Sequence, residues 1–476
     1  MNMPENSNQS MDNALKLFQE LAQRLLSMEQ QDAVAPFLAA EDLYQQIDLQ
    51  LSEEPLEQEQ YLDTLTQLIN YTPKTATTGF FNQLFGGRNP YAVLGDLLAV
   101  MLNNSMYTYK AAGAQVGVEK TLIDTLNQML GWTSGGGTFG PGGSMTNLMG
   151  MIMARDSVQP DIPFEGLSGK LTVYTSAESH YSVPKNAAFC GIGRDQVRYI
   201  ECDDQGRILP SALRQQIQED LDAGFKPVLV NLTAGTTVLG SFDPIEPIAA
   251  ICSQYKLWLH VDGAYCGSVL LSNKHKHLIS GIQLADSFSF NAHKMLSTPL
   301  SCSILLVREK EMLYNSFSND ASYLYQTDRD EFNLGKTSLQ CGRRNDALKL
   351  WSLWKRVGTK GLEQIVDHQF KLADIARDYV QQHPDYSLYS YPESISVCFN
   401  YKGIDAADLC TALYENSSLL VGYGEFRSQK FIRLVTVNAQ NQQQDILNFF
   451  RTIENFVDEN RAQFGLSDPL VNQGDF

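Results

Sequence analysis

The sequence lacks a long hydrophobic run. No stretch approaches the roughly eighteen uninterrupted apolar residues that a membrane-spanning helix needs. The opening segment MNMPENSNQSMDN is too polar to act as a signal peptide. We therefore predict a chain that makes no membrane association and is located in the cytoplasm.

Cysteine is present, but not in spacings that give it a dedicated role. The eight cysteines are scattered through apolar segments, and none forms a CxxC pair. This distribution argues against a disulfide framework. We predict reduced thiols within the core and no metal site.

Positive charge is scarce. The chain has 36 lysines and arginines against 54 aspartates and glutamates, which gives a formal net charge of −18. This balance argues against a general nucleic-acid or anionic-membrane binder. An anionic substrate would therefore need positive charge concentrated at its site.

The local sequence pattern changes along the chain. Residues 1–105 show helical spacing, as in the leucines at 17, 21 and 25. From about residue 171, the short β-rich runs LTVY, VLVNL, LWLHV, SFSF and SILLV alternate with segments long enough to hold helices. This alternation predicts an α/β fold with a mostly parallel sheet in a large domain over residues 106–355. Residues 356–476 predict a small α+β domain, with strands at ISVCFNY and KFIRLVTV and a closing helix.

A glycine-rich turn in GPGGSMTN leads into a helical pattern and carries Gly143 and Ser144. Such a turn exposes backbone N–H groups at the positive end of the helix dipole, so it can hold a phosphate. The spacing fits neither GxGxxG nor a Walker loop, and the motif alone is a weak signal because such turns are common.

Two apolar strands end in chemically useful side chains. LWLHVDGAYCG carries Asp262, and SFSFNAHK carries Asn291 and Lys294. Carboxyl ends of parallel strands meet at the edge where such sheets bind ligands. Taken singly, the Asp262 motif is typical of an exposed carboxylate at a strand end, and the Lys294 motif is equally typical of a solvated surface lysine. A desolvated lysine, however, has a lowered pKa and can form an imine with an aldehyde.

Together these motifs match the needs of one cofactor, pyridoxal 5′-phosphate. Lys294 supplies the amine for its aldehyde, Asp262 a carboxylate that keeps the pyridine nitrogen protonated, and Gly143 with Ser144 a place for the phosphate. His180, just after the run LTVY, could stack on the cofactor ring.

At these residues the chain resembles the pyridoxal-phosphate-dependent group II decarboxylases, and it is most similar to those of glutamate, aspartate and cysteine sulfinate. The likeness runs from about residue 60 to the C-terminus, through TTGFFNQLF, SAESHYSV, LTAGTTVLGSFDPI, HVDGAY, NAHKML, ASYLYQ and LQCGRRNDALKLW. The resemblance implies the aspartate aminotransferase-like type I fold, α-decarboxylation of a small acidic amino acid, and a homodimer with the active site at the subunit interface.

The resemblance also implies roles for single positions. Thr233 and Ala264 would line the cofactor, and His293 would lie beside its phosphate. Tyr323 in ASYLYQ would return a proton to the substrate carbon after carbon dioxide leaves. Asn82 and Gln83 match the family's substrate-binding segment.

Arg433 in KFIRLVTV matches the family's arginine for the acidic group of the substrate. Strand alternation puts it on a face with Phe431 and Val435, and a guanidinium on an apolar face needs an anionic partner. A structural carboxylate is the alternative partner, and the sequence does not choose between the two.

Phe85 is the residue most informative about the substrate. Glutamate decarboxylases usually carry serine there, whereas cysteine sulfinate decarboxylases resemble this chain. Because a bulky ring shortens a pocket, we predict cysteine sulfinate or aspartate, giving hypotaurine or β-alanine. Glutamate, giving 4-aminobutyrate, is the alternative, and 2,4-diaminobutyrate is a further one. Two other classes of protein compete with a decarboxylase: an aminotransferase and a non-catalytic cofactor-binding protein.

The chain departs from the family pattern at three positions. Gly263 and Tyr265 stand where the family usually has alanine and tryptophan, and Ala292 stands where it has proline. All the ionisable groups are retained, so these departures concern the shape of the pocket.

Overall fold

The computed structural model describes residues 7–31, 34–319, 329–416 and 419–466. The first described helices are α1 (Ser7–Glu29), α2 (Leu43–Gln46), α3 (Gln58–Tyr71) and α4 (Pro90–Leu102). The helical spacing predicted in the N-terminal part, as in the leucines at 17, 21 and 25, is thus confirmed. Within the described residues, no helix has both the length and the apolar character needed to cross a membrane.

Helix α4 begins with proline, and the Asn89 side chain caps it by accepting a hydrogen bond from a backbone N–H of its first turn. It packs closely along the long helix α13 (Ala347–Gln382), because a Cβ at Gly95 would lie 2.5 Å from the carbonyl oxygen of Leu348. Several large apolar side chains of α4 are nevertheless exposed: Leu94, Leu97, Leu98, Val100, Met101 and Leu102.

A seven-stranded sheet forms the centre of the molecule. Its strands are β1 (Gly136–Gly140), β2 (Leu171–Ser176), β3 (Val197–Ile200), β4 (Lys226–Thr233), β5 (Trp258–Gly263), β6 (Ser287–Asn291) and β7 (Ser303–Val307). They lie in the order β1-β7-β6-β5-β4-β2-β3. Strands β3, β2, β4, β5 and β6 are parallel, whereas β7 is antiparallel to both of its neighbours. The predicted mostly parallel sheet is confirmed.

Both faces of this sheet are buried, as the continuous apolar strands require. Side chains that alternate along a strand enter different clusters, so Leu229 packs in one cluster and Val230 in the other. The helices between residues 105 and 320 are α5 (Tyr109–Ala112), α6 (Gln115–Leu130), α7 (Gly143–Val158), α8 (Ile162–Glu165), α9 (Ser182–Phe189), α10 (Pro210–Asp222), α11 (Ile245–Tyr255) and α12 (Glu311–Phe317).

A second, antiparallel sheet lies in the C-terminal part. It contains β8 (Tyr386–Leu388), β9 (Ser396–Tyr401), β10 (Gly422–Phe426) and β11 (Gln429–Val435) in the order β10-β11-β9-β8. Helices α14 (Ala406–Glu415) and α15 (Gln443–Glu459) complete this part, and the predicted apolar stripe of α15 is buried. Helix α13 reaches it with a kink at Gly358. The domain boundary predicted after residue 355 falls within α13 and stays a prediction.

The parallel strands put the predicted site residues at one edge. Thr233 ends β4, Asp262 is the penultimate residue of β5, and Lys294 follows β6. His180 follows β2 on the same edge. Strand direction alone therefore brings together residues that are far apart in the sequence.

Candidate active site

A cavity of about 140 Å³ opens at this carboxyl edge of the central sheet. Its walls come from the strand ends and from the start of α7. The lining residues are Gly143, Ser144, Asn147, His180, Thr233, Gly235, Thr237, Asp262, Ala264, Tyr265, Asn291 and Lys294. We call this the cofactor cavity. Eight of these residues were predicted as site residues from the sequence.

Lys294 lies in the turn that follows β6, where its backbone N–H donates to the carbonyl of Asn291 at 3.1 Å. Burial lowers the pKa of its ammonium, and the nearby positive charge of Arg433 acts in the same direction. Asp262 and Cys266 oppose that shift. The lowered pKa gives Lys294 a larger share of the unprotonated amine, which is the form that reacts with an aldehyde.

Asp262 is 3% exposed, yet both of its oxygens have a donor. Oδ1 accepts the backbone N–H of Ala264 at 2.9 Å, and Oδ2 accepts the side-chain amide of Asn147 at 2.6 Å. Both oxygens of this buried side chain therefore have a hydrogen-bond partner.

His180 is half-buried and lines the cofactor cavity. Its Nδ1 accepts the backbone N–H of Ser182 at 3.2 Å and contacts the Ser182 hydroxyl at 2.8 Å. The neutral ring therefore carries its proton on Nε2. Burial lowers the pKa of His180, Asp262 opposes the shift, and Lys294 adds to it. The ring is thus favoured in its neutral form.

The start of α7 provides the predicted phosphate position. This helix has 16 residues, and its N-terminus opens on the cavity at Gly143 and Ser144. A Cβ at Gly143 would lie 2.9 Å from the Asn291 amide nitrogen and 3.2 Å from the Ala264 Cβ, so glycine leaves this space clear. Backbone N–H groups at a helix N-terminus bind anions.

Two polar atoms beside the cavity need a partner. Thr233 Oγ1 and Asn291 Oδ1 are buried and have no hydrogen-bond partner in the part of the chain that the structure describes. A buried polar group without a partner is costly, so these atoms suit a polar ligand. The residues present therefore fit pyridoxal phosphate.

His293 does not line the cofactor cavity among the described residues. Its Nδ1 accepts the backbone N–H of Cys302 at 2.9 Å, and burial lowers its pKa to about 3. It is a neutral ring with its proton on Nε2, and its place beside the phosphate stays a prediction. Tyr323 lies outside the described residues.

Arg433 extends from β11 of the small sheet to the loop that follows β4 of the central sheet. Nη1 donates to the carbonyl of Thr237 at 2.7 Å, and Nη2 donates to the carbonyl of Asn82 at 3.0 Å. Its Nε is buried and has no partner, and no ion pair joins Arg433 to a carboxylate among the described residues. The structural carboxylate considered as an alternative is thus not found there.

Asn82, Gln83 and Phe85 line a second cavity of about 780 Å³, which we call the side cavity. The ring of Phe85 lies 6.2 Å from that of Phe80, centroid to centroid. Arg433 bonds Asn82 of the side cavity and Thr237 of the cofactor cavity, so it lies between the two.

The departures from the family pattern have local reasons. A Cβ at Gly263 would lie 2.5 Å from the Phe288 ring and 2.9 Å from Ser289 O, so this close packing admits only glycine. The Tyr265 hydroxyl bonds Ser396 Oγ of the small sheet at 2.9 Å, which links the two sheets beside the cavity.

The sequence did not single out four cavity residues for the site: Asn147, Gly235, Thr237 and Tyr265. Asn147 occurs within the quoted motif GPGGSMTN, one helical turn after Gly143. That spacing puts both residues on the same side of α7 and was a usable signal. Thr237 belongs to a loop, and periodicity gives no information there.

The fold and the cavity define a class of protein. A mostly parallel sheet that brings a lysine, an aspartate and a helix N-terminus to one edge belongs to the pyridoxal-phosphate-dependent enzymes of the type I fold. Comparison with known proteins then narrows the class to a family.

The family model "Pyridoxal-dependent decarboxylase conserved domain" matches residues 40–402. The chain is 42% identical over 374 residues to cysteine sulfinic acid decarboxylase of Mus musculus, covering 77% of this chain and 76% of that protein. It is 36% identical over 439 residues to acidic amino acid decarboxylase GADL1 of Homo sapiens, covering 87% and 84%. The crystal structure of mouse CSAD matches with a TM-score of 0.88 at 35% identity, over 93% of this chain and 98% of that one. This chain belongs to the pyridoxal-dependent decarboxylase family, and it is a carboxy-lyase that uses pyridoxal phosphate.

Proposed function

We propose that this enzyme removes the α-carboxylate of an acidic amino acid and that it prefers cysteine sulfinate or aspartate to glutamate. The observation that carries the proposal is the half-buried guanidinium of Arg433, which bonds only backbone carbonyls among the described residues. The names of the relatives, cysteine sulfinic acid decarboxylase and acidic amino acid decarboxylase GADL1, support the same substrate class.

Arg433 would bind the side-chain anion of the substrate. It bonds the carbonyl of Thr237, which lines the cofactor cavity together with Lys294, and its positive charge helps to lower the pKa of Lys294. A guanidinium already fixed by two carbonyls loses little freedom on binding, and its free N–H donors suit a carboxylate or a sulfinate. The same charge would repel 2,4-diaminobutyrate, whose side chain is cationic.

Each chemical group of the cofactor would be held by a residue that can bind it. Gly143 and Ser144 would bind the phosphate, His180 would stack on the ring, and Asp262 would pair with the ring nitrogen. Thr233, Ala264 and Asn291 would complete the wall. When bound, pyridoxal phosphate supplies an electron-accepting ring for the pair released as the α-carboxylate leaves.

The chain's own groups would manage the protons. The lowered pKa of Lys294 favours a neutral Nζ, ready to react with the cofactor aldehyde. The neutral His180 keeps a donor at Nε2 in the cavity. Proton return to the substrate carbon by Tyr323 stays a prediction.

The side cavity would limit the length of the substrate side chain. Phe85 and Phe80 put aromatic surface near Asn82, whose carbonyl fixes Arg433. A ring at this position limits the room for a longer side chain. One methylene is worth only about 1–3 kcal/mol of discrimination, so we expect a preference and not an absolute choice.

The enzyme would act as a homodimer with the site at the subunit interface. The exposed apolar side chains of α4, of which Leu98 is 47% and Met101 is 52% exposed, form a surface suited to a second copy of the chain. Leu300, in the loop after Lys294, is also 54% exposed.

A cytoplasmic location fits the cysteines. All eight lie within the described residues and are free thiols, and most of them are buried. Reduced thiols of this kind are usual in the cytoplasm.

Release of carbon dioxide from cysteine sulfinate, aspartate, glutamate and 2,4-diaminobutyrate, with added pyridoxal phosphate, tests the proposal. We expect the first two to be turned over fastest, and we expect a Lys294→Ala protein to release none. A clear preference for glutamate would refute the role of Phe85. Absence of carbon dioxide from all four would refute the decarboxylase assignment for this chain.

A further inference from the structure

Behind the cofactor cavity lies a row of buried polar side chains with no assigned role. Trp258, His260 and Asp262 alternate along β5 and share one face, and Ser287 and Ser289 lie opposite His260 and Asp262 in the register with β6. His260 and both serines are completely buried. Buried polar groups at this depth are kept only when they are hydrogen-bonded.

The bonds form one continuous chain. Trp258 Nε1 donates to Ser287 Oγ at 2.8 Å, and Ser287 Oγ lies 2.8 Å from His260 Nδ1. His260 Nε2 lies 3.0 Å from the Asn147 side-chain oxygen, and the Asn147 amide donates to Asp262 Oδ2 at 2.6 Å.

The chemistry of the two ends sets the direction of every proton in this chain. An indole N–H can only donate, and an ionised carboxylate can only accept. The Asn147 oxygen can only accept, so His260 donates to it from Nε2. A neutral His260 then has an unprotonated Nδ1, which accepts the Ser287 hydroxyl. Ser289 adds a second donor to the Asn147 oxygen at 2.7 Å. The amide nitrogen of Asn147 must then face Asp262.

The arrangement needs a neutral imidazole, and the surroundings provide one. Burial lowers the pKa of His260 to about 4, with Asp262 opposing the shift. The groups facing His260 from the adjoining helix α7 are Asn147 and Gly150, and from β6 Ser287, none of which carries a charge.

Gly150 makes the close approach possible. A Cβ there would lie 2.9 Å from His260 Nδ1, and the ring is bonded at both nitrogens, so it has no room to move aside. Helix α7 thus carries the phosphate position at Gly143, the amide at Asn147 and the space for His260 at Gly150 on successive turns.

We propose that Trp258, Ser287, His260 and Asn147 form a one-way hydrogen-bond relay that holds the Asp262 side chain aimed at the ring nitrogen of pyridoxal phosphate. Asn147 is the positioning residue that contacts Asp262, and His260 with Ser289 fixes its orientation. This rests on the proposed role of Asp262 in the cofactor site.

The test compares Asn147→Leu with the wild-type enzyme. Leucine keeps the shape but removes the donor to Asp262. We expect the apparent Kd for pyridoxal phosphate, measured by absorbance titration, to rise about 10- to 100-fold, because a hydrogen bond to a charged group is lost. Asn127→Leu is the matched control: among the described residues, this buried amide donates only to the Gly136 carbonyl. It should lower stability and leave cofactor affinity unchanged.

Asn147→Asp supplies a readout that mere structural damage would not give. Its carboxyl can donate to Asp262 only while protonated. The affinity and visible spectrum of bound pyridoxal phosphate should therefore approach those of the wild type as pH falls and be lost as pH rises. An Asn147→Leu protein that binds pyridoxal phosphate within twofold of the wild type, or an Asn147→Asp protein without this pH dependence, would overturn the relay.

His260 offers a second pair if Asn147→Leu does not fold. His260→Gln keeps an N–H donor for Asn147 and an acceptor for Ser287, whereas His260→Leu keeps neither. We expect the glutamine variant to retain cofactor affinity and the leucine variant to lose it. Equal affinities would contradict the proposal. A wild-type protein that binds pyridoxal phosphate but releases no carbon dioxide would refute the proposed function and leave this test intact.

Discussion

Replacement of Arg433 by glutamine would test how the enzyme recognises an acidic substrate. Glutamine keeps one N–H donor for the carbonyl of Thr237 or Asn82 but removes the positive charge. Loss of one partner of a largely desolvated charge pair costs about 2–5 kcal/mol. The KM for cysteine sulfinate should therefore rise between about thirtyfold and a few thousandfold.

The same change should alter Lys294. The charge of Arg433 helps to lower the Lys294 pKa, so its removal should raise that pKa and reduce the neutral amine at a given pH. The rate of pyridoxal phosphate uptake by the cofactor-free enzyme, measured against pH, should shift to higher pH in Arg433→Gln. A purely structural effect of the substitution would not produce this shift.

Arg433→Lys is the matched variant. It keeps the charge but has a single ammonium in place of a fork that bonds two carbonyls, so its KM should fall between those of the other two proteins. The uptake profile should stay near that of the wild type. A KM for cysteine sulfinate that is unchanged in Arg433→Gln would refute the assignment of the substrate anion to this residue.

Three further predictions concern other parts of the molecule. Phe85→Ser should raise the turnover of glutamate relative to cysteine sulfinate by about tenfold, as one methylene of extra room allows; an unchanged ratio in parallel carbon dioxide assays would exclude Phe85 from substrate choice. Leu98→Glu on α4 should be inactive and should be a monomer in light scattering. Leu221→Glu, at a comparably exposed leucine on α10, should stay dimeric. A dimeric Leu98→Glu protein would show that α4 is not the interface. Asp243 is buried, and burial raises its pKa from 3.8 to about 6. Because folding favours the protonated form, the free energy of unfolding of the wild type should fall by about 3 kcal/mol relative to Asp243→Asn as pH rises from about 4 to about 6. Denaturant unfolding at several pH values that showed no such difference would contradict the shift.

Much of the fold could be predicted because the strands carry a strong local signal. The apolar runs that form β4 to β7 are bounded by polar segments. The resemblance to a family of known fold then predicted how these strands are arranged in the sheet. Strand β1 was missed because three of its five residues are glycines, which usually mark turns. Here Gly137 is required by contact: a Cβ there would lie 2.5 Å from the Leu305 carbonyl of β7. This requirement for glycine arises only from the contact between β1 and β7, so the local sequence cannot show it.

The site was predictable because three signals that are weak singly match the needs of one cofactor together. These signals are Lys294, Asp262 and the turn at Gly143, and all three line one cavity. The spacing of Asn147 from Gly143 only puts it on the cavity side of α7; its role depends on bonds to β5 and β6, which form only in the folded chain. For Arg433 the sequence left two partners open, and only the spatial arrangement could show which carboxylates lie within reach.

The two sheets divide the site into separable parts. The cofactor cavity is lined by the strand ends of the central sheet, the loops after them and the start of α7, whereas Arg433 comes from the small sheet and donates to the Thr237 carbonyl. A chimera that carries the small sheet of a relative should therefore alter recognition of the acidic group of the substrate, while Phe85 and the coenzyme-binding residues stay unchanged. Recognition of that group and binding of the coenzyme can thus change independently of each other.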